Sequence, residues 1–321
     1  MNLRAASVAF LVLAQALTAL TAAVEVRCAS AESMKGLMHT WTRDFTASHP
    51  DTPARVVLRT KFSAEAFEAL LRGDVQVAPF ARELFPSERA RFVEKFGVAP
   101  LLVPVATGSR ATKGGTHAIA IFVHENNPLA RLTLEQLREV LTADGKITTW
   151  GQLGVGGEWT AKKIVLHGMP RRRATGDPPG IVNFIEQRLL AGRDWRGDIH
   201  EHPDAPGGPQ ALEQIVRAVA ADEAALGYSG FYYAQPSTKT LALADTDAGP
   251  FYQGTANEIE RRQYPLTRTI YLCVVASPDA ATREFLRHVL SSAAQRAVSD
   301  DRQKFFPLTN AAVRAALDQL K

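Results

Sequence analysis

Lys163-Ile164-Val165-Leu166-His167-Gly168-Met169-Pro170-Arg171-Arg172-Arg173-Ala174-Thr175-Gly176-Asp177-Pro178-Pro179-Gly180-Ile181-Val182-Asn183-Phe184-Ile185-Glu186-Gln187-Arg188-Leu189-Leu190 is the stretch whose reading decides the fold. It opens with a short apolar run, which predicts a buried strand. A Gly/Pro-rich loop with three adjacent arginines follows. Apolar residues then recur at 181, 184, 185 and 189, which is helical spacing. The stretch is therefore a strand, a basic loop and a helix N-terminus. Thr175 or Asp177 is placed to cap that helix, with Pro178 or Pro179 in its first turn. Free backbone N–H groups at a helix start favour an anion, and arginine adds a planar donor fork. The competing reading of the arginine run alone is a solvated basic turn.

The same alternation extends in both directions. Towards the N-terminus, strands are expected at Val24–Cys28, Arg55–Leu58, Val75–Pro79, Leu101–Ala106 and Ala118–Val123. Helices fall between them, one face marked by Met34, Leu37, Met38, Trp41 and Phe45, another by Phe67, Leu70 and Leu71, with Gly73 as the stop. A further helix covers about Pro86 to Phe96. Thr133 begins the helix carrying Leu134, Leu137, Val140 and Leu141, with Glu135-Gln136 in its first turn. Towards the C-terminus come a loop (193–209), a helix marked by Leu212, Ile215, Val216 and Val219, and strands at 226–229, 241–244 and 269–276. Two amphipathic helices, about 280–298 and 309–320, close the chain. This alternation predicts α/β architecture, with mixed, mostly parallel sheets covered by helices on both faces.

The length of 321 residues allows about two domains. The chain is 46% hydrophobic and 22% charged, ordinary for a soluble globular protein. Met1 to Ala23 has Arg4, an apolar run from Ala5 to Leu20, and Thr21-Ala22-Ala23, the pattern of a cleaved signal peptide. The alternative is an uncleaved anchor, which the short, alanine-rich run disfavours. Cleavage removes one base and no acid, so the net charge falls from +4 to +3. With both signs well mixed, no nucleic-acid partner is expected. The two cysteines, Cys28 and Cys273, either pair in the exported protein or remain two buried thiols.

Several segments are similar to the phosphate-binding proteins of bacterial phosphate ABC transporters. Leu132-Thr133-Leu134-Glu135-Gln136-Leu137-Arg138-Glu139-Val140-Leu141 with Gly145-Lys146-Ile147-Thr148-Thr149-Trp150 resembles a signature of that family. Ala225-Leu226-Gly227-Tyr228-Ser229-Gly230-Phe231, Tyr264-Pro265-Leu266-Thr267-Arg268-Thr269-Ile270-Tyr271 and Phe305-Phe306-Pro307-Leu308 resemble three more segments, in the same order. The resemblance implies a two-lobed type II periplasmic binding protein, with lobe I at 24–106 plus 235–321 and lobe II at 107–234. It implies a periplasmic monomer that captures an oxyanion, inorganic phosphate foremost, and delivers it to an ABC permease. No cofactor, metal or catalytic residue is implied.

Carried over residue by residue, the resemblance places Ser33 in the first ligand loop and Ser63 in the second. Arg82 falls in the third, Ala78-Pro79-Phe80-Ala81-Arg82, where Ala81 stands in place of a serine. Arg171, Arg172, Arg173, Thr175 and Gly176 fall in the fourth, which is longer than the family's Gly-Arg…Ser-Gly-Thr loop. Such a site needs a donor for each oxygen of a dehydrated polyanion. Glu32 and Asp177 also lie near the expected cleft. Two rival functions remain: a signalling or tethering module with a different or lost oxyanion, and an enzyme acting on a phosphate ester. The enzyme reading lacks a nucleophile beside a base. The cluster His200-Glu201-His202 does not match the spacing of His ligands four apart on a helix and reads as solvated loop.

Overall fold

The computed structural model describes residues 25–321. The expected signal peptide lies outside them, as does Val24. The chain folds into two lobes, each built on β-sheet and apolar cores of its own.

In the first lobe β1 (Val26–Ala31) is followed by α1 (Lys35–Ser48), β2 (Ala54–Thr60), α2 (Ser63–Arg72), β3 (Ala78–Phe80), α3 (Pro86–Phe96) and β4 (Leu101–Thr107). β1 and β2 pair in parallel, and a parallel bridge from Cys28 to Val77 ties them to β3. Apolar residues on both sides of these strands supply two cores. Val26, Val103, Ile270, Leu272 and Val274 face α1 and the C-terminal helices. Ala29, Ala78, Phe80 and Cys273 face α2 and α3. This is the two-residue alternation of a strand buried on both faces. Gly73 ends α2 at φ 85°, a left-handed cap that costs glycine no Cβ clash.

The second lobe contains β5 (Ile119–His124), β6 (Arg131–Thr133), α4 (Leu134–Leu141), β7 (Val165–Gly168), α5 (Gly180–Ile185), β8 (His200–Glu201), α6 (Ala211–Ala221), β9 (Ala225–Gly230), β10 (Thr238–Thr240), β11 (Ala242–Ala244) and α7 (Ala256–Glu260). Its main sheet runs β10-β5-β9-β7-β8, with β11-β6 beside it. The chain then returns as β12 (Thr269–Val274) between β3 and β4, and ends in α8 (Ala280–Val289), α9 (Ser292–Asp300) and α10 (Asn310–Asp318). The expected helix over 280–298 is therefore two, because Ser291 caps a new helix with its hydroxyl on Ala294 N.

The expected lobe boundary needs correction. The return to the first lobe, expected at 235, comes later in the chain. β10 and β11 pair with β5 and β6, and Leu241, Leu243, Ile259, Tyr264 and Leu266 lie in the second core. The sheets are mixed, as expected, and the antiparallel pairings within them share one cause. The reason is the crossing itself. The strands of both lobes end at the edge facing the other lobe, so a chain arriving from that lobe must enter at the same edge and run the opposite way. β5 accordingly lies antiparallel to β9, and β12 antiparallel to β3 and β4.

The cysteines are free and buried. Cys28 faces one core and Cys273 the other, on either side of β3. Two strand spacings, about 9–10 Å, exceed the reach of a disulfide.

Candidate functional site

Strand order brings the expected loops to one edge. Ala31 is level with Thr60, Phe80 with Tyr271, and Thr107 with Thr269. The turns after β1, β2 and β3, carrying Ser33, Ser63 and Arg82, therefore leave the first sheet on the side facing the second lobe. The loop after β7 leaves the second sheet on its corresponding edge. Ser63 is buried at the start of α2, and Ser33 is half-buried in a 3-10 turn before α1. Glu32, beside it, is exposed and paired with Arg302 at 2.7 Å, whose hydrogen bond lowers its pKa.

The lobes meet at the turn after β3. Arg82 is held by Glu88, with Nη1–Oε2 2.8 Å and Nη2–Oε1 2.5 Å, and its Nη1 also donates to Glu83 O at 2.9 Å. Its guanidinium lies 3.6 Å from the centre of the Phe85 ring, a favourable cation–π distance. A second arginine, Arg268, reaches the same turn from the return crossing and donates from Nη2 to Glu83 Oε2 at 2.7 Å. Both pairs are withdrawn from water: side-chain exposure is 13% and 7% for Arg82 and Glu88, and 7% and 12% for Arg268 and Glu83. Charges this deep persist because each has a hydrogen-bonded partner.

From the second lobe, Asn183 Nδ2 donates to Glu83 O (3.1 Å) and Gln187 Nε2 to Leu84 O (2.9 Å). Ser87 Oγ at the start of α3 donates to Asp177 Oδ1 at 3.0 Å. Gly180, the first residue of α5, rests against both arginines. A Cβ there would lie 3.5 Å from Arg82 Cβ and 3.7 Å from Arg268 Nη2. Thr116 Oγ1, on the outgoing crossing, donates to Ala81 O. Beside it His117 is 4% exposed, and neither ring nitrogen has a partner among the described residues. Burial first, and then the charge of Arg268, hold its pKa down at about 4, so the ring is neutral at pH 7.

The arginine loop is arranged differently from the reading of the sequence. The helix begins after Pro179, with no side-chain cap from Thr175 or Asp177, and both prolines precede it. Arg173 N donates to Asp177 O and Gly176 N to Arg173 O, both at 2.9 Å, so 173–177 closes on itself around a Gly176 φ of 88°. Arg171 pairs with Glu201 at 2.9 Å and Arg172 with Glu186 at 2.7 Å, both within their own lobe. Arg173, Thr175 and Gly176 are exposed. The structure thus brings Arg82 together with Gly180 and Arg268, and sets Asp177 on Ser87 across the junction. It holds Arg171 and Arg172 on carboxylates of the second lobe.

Glu83, Glu88, His117 and Arg268 are among the participants that the sequence did not single out. For Arg268 a signal was present. An arginine inside Leu266-Thr267-Arg268-Thr269-Ile270, at the start of an apolar strand, is buried only when paired. His200 and Glu201 form β8 instead of loop, and His167 Nδ1 lies 3.0 Å from His202 Nε2. Trp150, Trp159 and Trp195 all pack in the second core and Trp41 in the first.

Two lobes with their sheet edges and loops facing a shared junction define a bilobal binding-protein architecture. The chain belongs to the PBP superfamily: the model for the PBP superfamily domain matches residues 17–293. It is 27% identical over 299 residues to the phosphate-binding protein PstS of Pseudomonas aeruginosa, spanning 90% of this chain and 84% of that protein. In fold it is similar to PstS from Borrelia burgdorferi (TM-score 0.56, 17% identity, 89% of this chain and 100% of that one). It is also similar to an ABC-type phosphate transport receptor from Vibrio cholerae (TM-score 0.54, 19% identity, 88% and 99%).

Proposed function

We propose that the protein is an exported oxyanion-binding protein, inorganic phosphate being the leading ligand, that hands its ligand to an ABC permease. The observation that carries this reading is the convergence of Arg82, Arg268 and the start of α5 at the junction of the lobes. In a junction from which water is excluded, a fixed guanidinium is worth far more than on a surface. Relatives that bear phosphate-binding names support the ligand and the transport role. The binding set is Ser33, Ser63, Arg82, Arg171, Arg172, Arg173, Thr175 and Gly176. Arg171 and Arg172 exchange Glu201 and Glu186 for ligand oxygens. The role is binding and release, without catalysis, in the periplasm.

A second reading has its own support. The junction arginines and two of the three loop arginines already have carboxylate partners. That neutrality favours a signalling or tethering module with a different or lost oxyanion. Titration calorimetry of the native protein against phosphate, sulfate and tungstate separates the two. Binding of one of them supports transport, and silence from all three at millimolar concentration supports the second reading. On the first reading Arg82→Ala and Thr175→Ala each weaken the best ligand roughly ten- to a hundredfold, since a charge-assisted bond contributes about 1.5–3 kcal/mol. Unchanged affinity in a folded Arg82→Ala protein removes Arg82 from the site.

A further inference from the structure

The two crossings between the lobes carry more buried polar groups than their own hydrogen bonds use. Arg268 is 6% exposed, and its Nε–H has no acceptor among the described residues although its Nη2 is engaged by Glu83. Thr267 Oγ1, the neighbouring side chain on the same crossing, is also buried without a partner. On the outgoing crossing both nitrogens of His117 are orphaned. The segments are stitched to each other by Gly108 N on Arg268 O (2.9 Å) and Ile119 N on Leu266 O (3.1 Å). They are also packed closely. A Cβ on Gly108 would lie 3.5 Å from Arg268 Cβ, and one on Gly230 would fall within 2.1 Å of the His117 ring. Almost all buried donors in folded proteins are paired, because an unmade bond costs about 1–3 kcal/mol. Orphaned groups on two crossings that are hydrogen-bonded to each other therefore mark a position that something polar fills.

Several features identify the occupant. A guanidinium Nε–H is donor-only, and a neutral imidazole always presents one N–H. The wall beyond is the turn of Arg82 and Glu83 from one lobe and Gly180 from the other. A water molecule satisfies one or two such groups. A compact anion satisfies donors arriving from several directions at once and offsets the positive charge of Arg268.

We propose that the base of the cleft is itself a ligand-contact surface, in which Arg268 Nε and an N–H of His117 donate to the bound oxyanion, with Thr267 Oγ1 as a third donor. The inference rests on the oxyanion reading above and adds residues that are absent from the strand-end loops. Its mechanical content is that the crossings are not only hinges. A ligand seated on both of them joins the outgoing and returning segments, so lobe closure and ligand capture share the same atoms. Glu83, the present partner of Arg268, makes room by keeping its contact with Nη2 and leaving Nε to the ligand.

The test uses the full-length protein and phosphate, sulfate and tungstate as probes, with affinities from titration calorimetry and folding checked by near-ultraviolet circular dichroism. Removing Arg268 alone strands Glu83, so the informative variant is Arg268→Met with Glu83→Gln, which deletes both charges together. His117→Leu removes the ring without leaving any protein partner behind. The double variant is expected to bind the best probe roughly ten- to a hundredfold more weakly, and His117→Leu about tenfold more weakly. In the native protein the Arg268 Nε–H resonance should move on saturation with that probe. If the native protein binds a probe and both variants bind it equally well, the crossings are structural only and the inference is overturned, while the oxyanion reading stands. If the native protein binds none of the three, the oxyanion reading fails and this inference fails with it. If the variants weaken binding but the Arg268 resonance stays still, the donors act indirectly and contact is refuted.

Discussion

Glu88 offers the sharpest test of how the lobe junction is held. Its carboxylate takes both terminal nitrogens of Arg82 and also the Phe85 backbone N–H at 2.9 Å, the reciprocal half of the cap on α3. Glu88→Ala leaves Arg82 nearly buried with Glu83 O and the Phe80 and Phe85 rings as partners. Stranding one member of a buried pair typically costs about 3–5 kcal/mol. The lost cap adds about 1 kcal/mol. The remaining carbonyl and ring contacts return part of this, so the expected loss is about 3–4 kcal/mol, set by the lower end of that range. That is a large fraction of a total stability of roughly 5–15 kcal/mol. The assay is urea unfolding followed by tryptophan emission, in which the midpoint falls while the slope stays constant. Removing both charges, as Arg82→Met with Glu88→Leu, should recover stability to within about 1 kcal/mol of native or exceed it, because neither ion is then desolvated alone. A loss below about 1 kcal/mol for Glu88→Ala, or a double variant as damaged as the single, would refute the view that this pair is a buried, mutually dependent unit.

Three further outcomes are expected. His117 has an ordinary value of 6.5 and is held at about 4 by burial and by Arg268, so below pH 6.5 the unfolded chain takes up a proton that the folded one refuses. Stability should therefore fall as pH drops from 6.5 to 4, by up to about 1.4 kcal/mol per pH unit from this residue, and His117→Leu should flatten that part of a denaturation–pH profile. Burial raises the pKa of both thiols, so a thiol reagent should label neither Cys28 nor Cys273 in the native protein and both after denaturation without reductant; protection that persists in denaturant would indicate a disulfide. Gly145→Ala would place a Cβ 2.1 Å from Glu139 O, and the backbone shift it forces should cost about 1–3 kcal/mol; a calorimetric Tm equal to native would refute that close approach.

Much of the architecture was legible because strands and helices have different periods. The segment most like a known family, Leu132–Trp150, is legible for structural reasons. Thr133 and Gln136 cap α4 reciprocally, Gly145 allows a carbonyl to approach, and the buried Trp150 donates to Ala224 O. None of these groups faces the lobe junction, so a strong family signal here says little about ligand contacts. β10 was not legible. Thr238-Lys239-Thr240 is a half-buried edge strand whose alternation carries no apolar face. Nor were the ion pairs at the junction. Arg82 could be placed by its strand end, but its partner depends on the turn into α3. Arg268 and Glu83 lie 185 residues apart and meet only because β12 enters beside β3. The arginine run shows the same limit: its charge is plain in the sequence, while its counter-ions, Glu201 and Glu186, are chosen by tertiary packing.

One of those counter-ions has an optical consequence. Glu186 Oε1 accepts from Arg172 at 2.7 Å and from the indole N–H of the buried Trp195 at 2.9 Å. The fluorophore and the arginine therefore share a single oxygen. Whenever Arg172 leaves, the indole faces an unshielded carboxylate, and its emission must change in intensity and wavelength because the excited-state dipole of the ring responds to the local field. Nature has in effect wired a lamp to the loop. On the proposed oxyanion reading, displacement of Arg172 by an anion is expected to register in the protein's own tryptophan emission, without a label, and Glu186→Gln is expected to weaken that response while leaving the tryptophan in place.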